Sequence, residues 1–322
     1  MVKIDKINLD SFITKEGKDY RKAEEIEKEK IALYFSQQGY NVLNIEQLWR
    51  HVHGKLERKN EIFFFKMAST PGIGERTKNE TSWNNEIHKR IKEAGINYFS
   101  VPEIFETGEY EGKFYYLSSF HDGPFLSSED NTQGLEQWLE KIIKTNHFFL
   151  HLKNLNFYRD RGLKERIDDW DDFKALDKWY GEVEGHKLEK IYNEAKNLKN
   201  TYTPGINHGD FVPWHMIKER DKFVLIDSEH ASGIMPKYLD ICYFYHRLYT
   251  KANNPKLAKV YLNQVSADFS AQEKRTFEQS IKPILAMRII GGFLDCKAHG
   301  IEDLSYHNRL RDDFLNNNLL AP

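Results

Sequence analysis

Two aspartates seventeen residues apart frame the stretch of this chain best suited to chemistry. Asp210 closes the tripeptide His208-Gly209-Asp210. An apolar segment through Met216-Ile217, a polar turn at Arg220-Asp221 and the run Phe223-Val224-Leu225-Ile226 follow, ending on Asp227. Apolar runs on either side of a polar turn predict a two-stranded hairpin with a carboxylate at each end. Such a pair suits phosphoryl transfer. One carboxylate accepts the proton of an attacking hydroxyl, and the other holds a divalent cation that bridges nucleotide phosphates. The protein needs no reactive nucleophile, because that reaction rests on positioning and charge neutralisation.

The same chemistry asks for a cation opposite the phosphates, and Lys66 directly follows the strand-like run Ile62-Phe63-Phe64-Phe65. The plain reading of such a lysine is a strand-end charge reaching for water. A partner glutamate on the next helix gives it another purpose. Thr81 or Ser82 is placed to cap that helix, Ile87 and Ile91 share one face, and Gly95 closes it. Glu86 adjoins that face and is the expected partner of Lys66; Glu80 falls ahead of the cap. The competing fate for Glu86 is a surface pair with Arg90.

In this order, His208-Gly209-Asp210 and Ile226-Asp227-Ser228-Glu229, with Lys66 upstream, resemble the catalytic core of the aminoglycoside phosphotransferase-like branch of the protein-kinase-like fold. That branch also holds choline, homoserine and other small-molecule kinases. The resemblance covers about Asn41 to Asp240. It implies an α+β, two-lobed fold: a small antiparallel-sheet lobe over residues 1–120 that binds nucleotide, and a larger, mostly helical lobe over residues 121–322 that carries the catalytic and substrate groups. Its break falls near Gly123-Pro124. Carried over by position, Asp210 is the catalytic base, Asp227 a metal ligand, and Lys66 with Glu86 the phosphate-binding pair. The Ser119 carbonyl and the His121 N–H would read the adenine edge, with Leu117 near the adenine pocket, and Asp240 would brace the catalytic loop. ATP and magnesium are the implied cofactors, and a small-molecule alcohol (amino sugar, sugar or amino alcohol) is the implied acceptor.

Two departures stand out. His215 occupies the position where the family carries a metal-binding Asn, and imidazole is a softer donor than magnesium prefers. The turn Asn44-Ile45-Glu46-Gln47-Leu48-Trp49 lacks the glycines that usually bring backbone N–H groups over phosphates. Both favour an alternative reading, a catalytically silent nucleotide-binding or scaffolding module. A protein kinase ranks lower, since neither an Asp-Phe-Gly nor an Ala-Pro-Glu run is present.

The remaining chain sets bounds. At 322 residues, 40% hydrophobic and 14% aromatic, it can bury a substantial core. Its 47 Lys+Arg balance 49 Asp+Glu, and no basic block points to nucleic acid or to a membrane surface. Cys242 and Cys296 lack metal spacing and read as buried thiols of a reducing, cytoplasmic protein; no secretory leader is expected in residues 1–10. Helices are expected over Tyr20–Gln38, from Trp138 to about Lys153, and from Arg166 to Trp179, the last with an acidic outer face able to steer an amino-bearing substrate. The Gly291-Gly292 pair suggests close packing inside a helix. Oligomeric state leaves no mark in this sequence.

Overall fold

The computed structural model describes residues 23–155 and 157–319. Helix α1 (Lys28–Gln37) precedes strands β1 (Asn41–Leu48), β2 (His51–Arg58) and β3 (Glu61–Ala68), and helix α2 (Pro71–Ala94) leads through β4 (Phe99–Ser100) to β5 (Ile104–Tyr110) and β6 (Lys113–Ser119). The five longer strands form one antiparallel sheet in the order β1-β2-β3-β6-β5. Side chains alternate across a strand. Phe63, Phe65 and Met67 therefore join the sheet core with Ile31 and Phe35 of α1, leaving Phe64 and Lys66 for the opposite face. The helix expected from Tyr20 begins only at Lys28; residues 20–22 lie outside the described residues.

The second helix corrects the sequence reading. It starts at Pro71, with Thr70 as the cap accepting the Ile73 N–H, so Gly72 and Gly74 lie in its first turn and Thr81 and Ser82 in its middle. It ends as expected at Gly95, whose φ of 63° is the left-handed turn glycine takes readily. Trp83, Ile87 and Ile91 bury one face in the core of the second lobe, where Trp83 packs on Phe149 and Phe157.

That lobe is helical: α3 (Leu139–His151), α4 (Asp171–Lys174), α5 (Leu176–Glu182), α6 (Glu189–Lys196), α7 (Leu198–Thr201), α8 (Leu239–Thr250), α9 (Pro255–Val265), α10 (Ala271–His299) and α11 (Ser305–Leu315). Four short strands lie between α7 and α8: β7 (Pro204–Asn207), β8 (Met216–Glu219), β9 (Lys222–Leu225) and β10 (Ser232–Pro236). The predicted hairpin is β8–β9, turning at Arg220 with φ 55°. Strand β4 adds to it in parallel, and β10 pairs with β7. The protein is thus α+β and two-lobed.

The single amphipathic helix expected from Arg166 to Trp179 is instead a 3-10 turn at Ile167–Asp169 followed by α4 and α5. Its acids do not form one face. Asp168 pairs with Arg166 and Lys199, Asp171 with Arg159 and Lys174, and Asp177 with Lys196. Among the described residues, no helix is long and apolar enough to cross a membrane. Cys242 and Cys296 are free and buried.

Candidate active site

Strand β7 delivers His208-Gly209-Asp210 to the mouth of the interlobe cleft. His208 is fully buried, and its Nε2 lies 3.0 Å from the Ile226 carbonyl, while its Nδ1 lies 3.3 Å from the Asp210 backbone nitrogen. A carbonyl only accepts, so Nε2 carries the proton and Nδ1 accepts the Asp210 N–H. Burial pushes the ring down to about 4, keeping it neutral. One imidazole thereby ties the backbone of Asp210 to the residue preceding Asp227.

Gly209 has φ +85°, and a Cβ there would stand 2.5 Å from the His230 carbonyl oxygen, so only glycine fits. Asp240, in the first turn of α8, accepts the His208 N–H at 2.6 Å and the Gly209 N–H at 2.9 Å, one on each carboxylate oxygen. These bonds clamp the loop from below.

Lys66 is buried and donates to Glu80 at 2.7 Å and to Asp227 at 3.1 Å. Burial alone would lower its pKa, but the carboxylates of Glu80 and Asp227 lift it well above the lysine range. Burial likewise acts to raise Asp227, and Lys66 with His215 outweighs it, holding that carboxyl far below the usual range. The expected pairing with Glu86 is therefore wrong. Glu86 bonds Arg90 at 2.9 Å and lines a separate surface hollow. Because α2 begins at Pro71, Glu80 lies well inside the helix, and the six-position step from it to Glu86 places the two on different faces, about 120° apart.

The three side chains Asp210, His215 and Asp227 form a cluster, each offering one ligand atom with all three atoms within 4.8 Å of one another. His215 Nδ1 is 3.1 Å from the Asp210 carbonyl oxygen and 3.7 Å from its Oδ2; Nε2 is 3.6 Å from Asp227 Oδ2. Burial opposes protonation of this ring, yet the two flanking carboxylates prevail and raise its pKa. Asp227 itself sits at φ 64°, a left-handed conformation that a short polar side chain tolerates better than most.

The cleft above this cluster has a volume of about 520 Å³ and is roofed by His53 and Phe64, whose rings stack at 5.6 Å. At the β1–β2 turn, Trp49 takes φ 52°, and Arg50 reaches across the cleft to Glu229. Glu229 is thus a structural anchor for the turn that carries no glycine. Ser119 and His121 both line the cleft. Ser119 Oγ accepts the Glu103 N–H and lies 2.8 Å from His121 Nε2, while His121 Nδ1 meets Glu219 at 3.0 Å. Leu117 does not line it. Lys66 pairs across the sheet with Tyr116, so Tyr116 and Ser118 share its face and Leu117 points into the sheet core.

Buried imidazoles give the fold a pH signature. Burial comes first in lowering His51, His53, His208, His246 and His307, to about 4 in His53, His208 and His307. The unfolded rings take protons near pH 6.5 and the folded ones only at lower pH, so acid favours the unfolded chain below 6.5. Asp240, pushed up to about 7 by burial, works in the opposite sense, as do the buried carboxyls of Glu80 and Asp172, three groups against five. Thermal unfolding is expected to shift down by about 5 °C between pH 6.5 and 4.5; a flat or rising profile would contradict these assignments.

No protein-family model matches the chain, and no curated protein does. Solved structures match it in fold. A thermostable mutant of the aminoglycoside phosphotransferase APH(4)-Ia, in ternary complex with ADP and hygromycin B, aligns at TM-score 0.61 and 11% identity, over 89% of this chain and 97% of that one. Choline kinase LicA from Streptococcus pneumoniae aligns at 0.54 and 14%, over 90% and 99%. A putative fructosamine-3-kinase from Haemophilus somnus 129PT aligns at 0.51 and 12%, over 88% and 96%. The chain has the two-lobed protein-kinase-like fold, in the form that these small-molecule kinases take.

Proposed function

We propose that this chain is a phosphotransferase that moves the γ-phosphoryl group of ATP to a hydroxyl of a small molecule, with a divalent cation such as magnesium. The observation that carries the reading is the approach of Lys66, Asp227 and Asp210 from positions far apart in sequence: an ammonium on Asp227 in the cleft, and Asp210 within reach of the imidazole that also meets Asp227. Support comes from the fold neighbour whose structure holds ADP together with hygromycin B.

In this reading Lys66, held by Glu80, neutralises the nucleotide phosphates, and the N-terminal lobe with the Ser119–His121 segment holds the base. Asp210 takes the proton from the acceptor hydroxyl as its oxygen bonds to the γ-phosphorus, and the bond from that phosphorus to the β–γ bridging oxygen breaks to release ADP. His208 and Asp240 keep the Asp210 backbone in place through the bonds described. A bound cation would supply charge neutralisation at the phosphate oxygens.

The donor set fits such a cation. Asp227 and Asp210 offer hard oxygens. In its neutral form, His215 donates from Nδ1 to the Asp210 carbonyl and presents the Nε2 lone pair toward Asp227, the arrangement typical of metal-bound histidine. An imidazole suits manganese better than magnesium. His215→Asn should therefore lower the magnesium concentration for half-maximal activity; an unchanged metal titration would remove His215 from the metal shell.

The direct test incubates the purified protein with ATP, magnesium and a broad panel of alcohols under phosphorus NMR. A new phosphate ester appearing with equimolar ADP is the expected result. Nucleotide binding with no ester in any mixture would favour the silent-module reading, and no nucleotide binding would sink both.

A further inference from the structure

Helix α8 runs beside the Asp210 loop, with Phe244 packed on Phe211 at 5.8 Å. One turn of that helix carries Tyr243, His246 and Arg247. Tyr243 and Asp210 are the residues immediately preceding the two members of that ring pair, and burial pushes the Tyr243 hydroxyl up to about 12. Two guanidinium groups crowd the Tyr243 ring: Arg247 at 5.0 Å from its centroid and Arg288, from the middle of α10, at 4.5 Å.

These cations are incompletely matched. Arg247 donates to Tyr243 Oη at 3.1 Å and to Asp295 at 3.0 Å. Arg288 is 7% exposed; its carboxylate neighbour, Asp172, stands 3.9 Å away, and its Nε has no hydrogen-bond partner. His246 is fully buried with neither ring nitrogen partnered. Room for it is made by Gly292, where a Cβ would lie 2.6 Å from His246 Nε2; this accounts for one glycine of the pair, while a Cβ at Gly291 would meet Trp179 at an ordinary 3.5 Å. Beside the Tyr243 ring the unpartnered buried donor is Arg288 Nε, and the neutral His246 on the same helical turn adds one N–H. Buried donors without acceptors are costly and rare in folded proteins, and an oxyanion supplies both the acceptors and the missing negative charge. Three of the five acids in the run expected to attract an amine, Asp168, Asp171 and Asp177, are meanwhile paired with Arg and Lys partners of their own.

We propose, resting on the phosphotransferase reading, that the acceptor alcohol carries a carboxylate or phosphate group, gripped by Arg247 and Arg288 around Tyr243 while its hydroxyl faces Asp210. Planar guanidinium forks suit such oxyanions better than they suit neutral or cationic groups.

Four three-carbon probes that differ in one terminal group test this: glycerate, glycerol 3-phosphate, glycerol and 3-aminopropane-1,2-diol. Each is titrated calorimetrically into the full chain with Mg·AMP-PNP present. At least one anionic probe should bind about tenfold or more tighter than both the neutral and the amino probe, the scale of one charge-assisted contact, and whichever anion leads identifies carboxylate or phosphate. Arg247→Gln, at a partly exposed position, should erase the preference, and Arg288→Lys, which keeps charge but loses the fork, should weaken it. Equal binding of all four, binding of none, tighter binding of the amino probe, or a preference that survives Arg247→Gln would each overturn the proposal. Thermal protection by Mg·AMP-PNP alone, read in the same samples, reports separately on the phosphotransferase reading.

Discussion

Asp210→Asn is expected to lower kcat by about 10²–10⁴-fold, the range for removing a positioned general base, while the affinity for Mg·ATP changes little. The asparagine keeps the backbone N–H that His208 Nδ1 accepts and the carbonyl that His215 Nδ1 approaches. The loop clamped by Asp240 therefore stays where it is, and only the proton acceptor is lost. Steady-state kinetics with calorimetric nucleotide titration separate these effects. A variant with wild-type turnover would remove Asp210 from the chemistry, and one that neither turns over nor binds nucleotide would place it in the fold instead.

Lys66→Met should damage both stability and activity. It strands Glu80, which is 3% exposed, and leaves Asp227 without its ammonium partner. Breaking a buried ion pair from one side costs about 3–5 kcal/mol, because the remaining charge keeps its desolvation penalty and loses its compensation. Glu80 then retains its proton to a higher pH, since burial and the Asp227 and Glu229 carboxylates act unopposed once the lysine is gone. Glu86→Gln, by contrast, breaks only a partly exposed pair with Arg90 and should change stability by no more than about 0.5 kcal/mol. Urea unfolding of the two variants beside wild type decides between the glutamates: equal losses would contradict the assignment of Glu80.

The contrast between these glutamates shows where sequence patterning stops. Lys66 and Asp227 stand out in the sequence because each follows an apolar strand run, Asp210 because it closes His208-Gly209-Asp210, and their order along the chain resembles a known constellation. Glu80 is missed when the cap is placed at Thr81 or Ser82, although Thr70 followed by Pro71 is itself a helix-start signal. Leu117 failed on parity: which residues of β6 face the cleft depends on its register with β3, and no local feature sets that register. The segment from Arg166 to Trp179 misled through its spacing. Ile167, Trp170, Phe173, Leu176 and Trp179 recur every three residues, and in an α-helix each such step lags by about 60°, so one continuous helix would turn several of them away from the core. The chain breaks twice and keeps Ile167, Trp170, Leu176 and Trp179 buried. The contact between Arg50 and Glu229, 179 residues apart, and the grouping of Arg247 and Arg288 on separate helices arise only from tertiary packing.

The central claim is that Lys66 and Asp227 on one side, and Asp210 on the other, flank a single terminal phosphate. A crystal structure of the protein with Mg·AMP-PNP tests it most directly. The account predicts the triphosphate in the cleft beneath His53 and Phe64, with Lys66 Nζ about 3 Å from a phosphate oxygen and the terminal phosphate between Asp227 and Asp210. A nucleotide bound elsewhere, or one whose phosphates point away while Lys66 touches only Glu80 and Asp227, would contradict it.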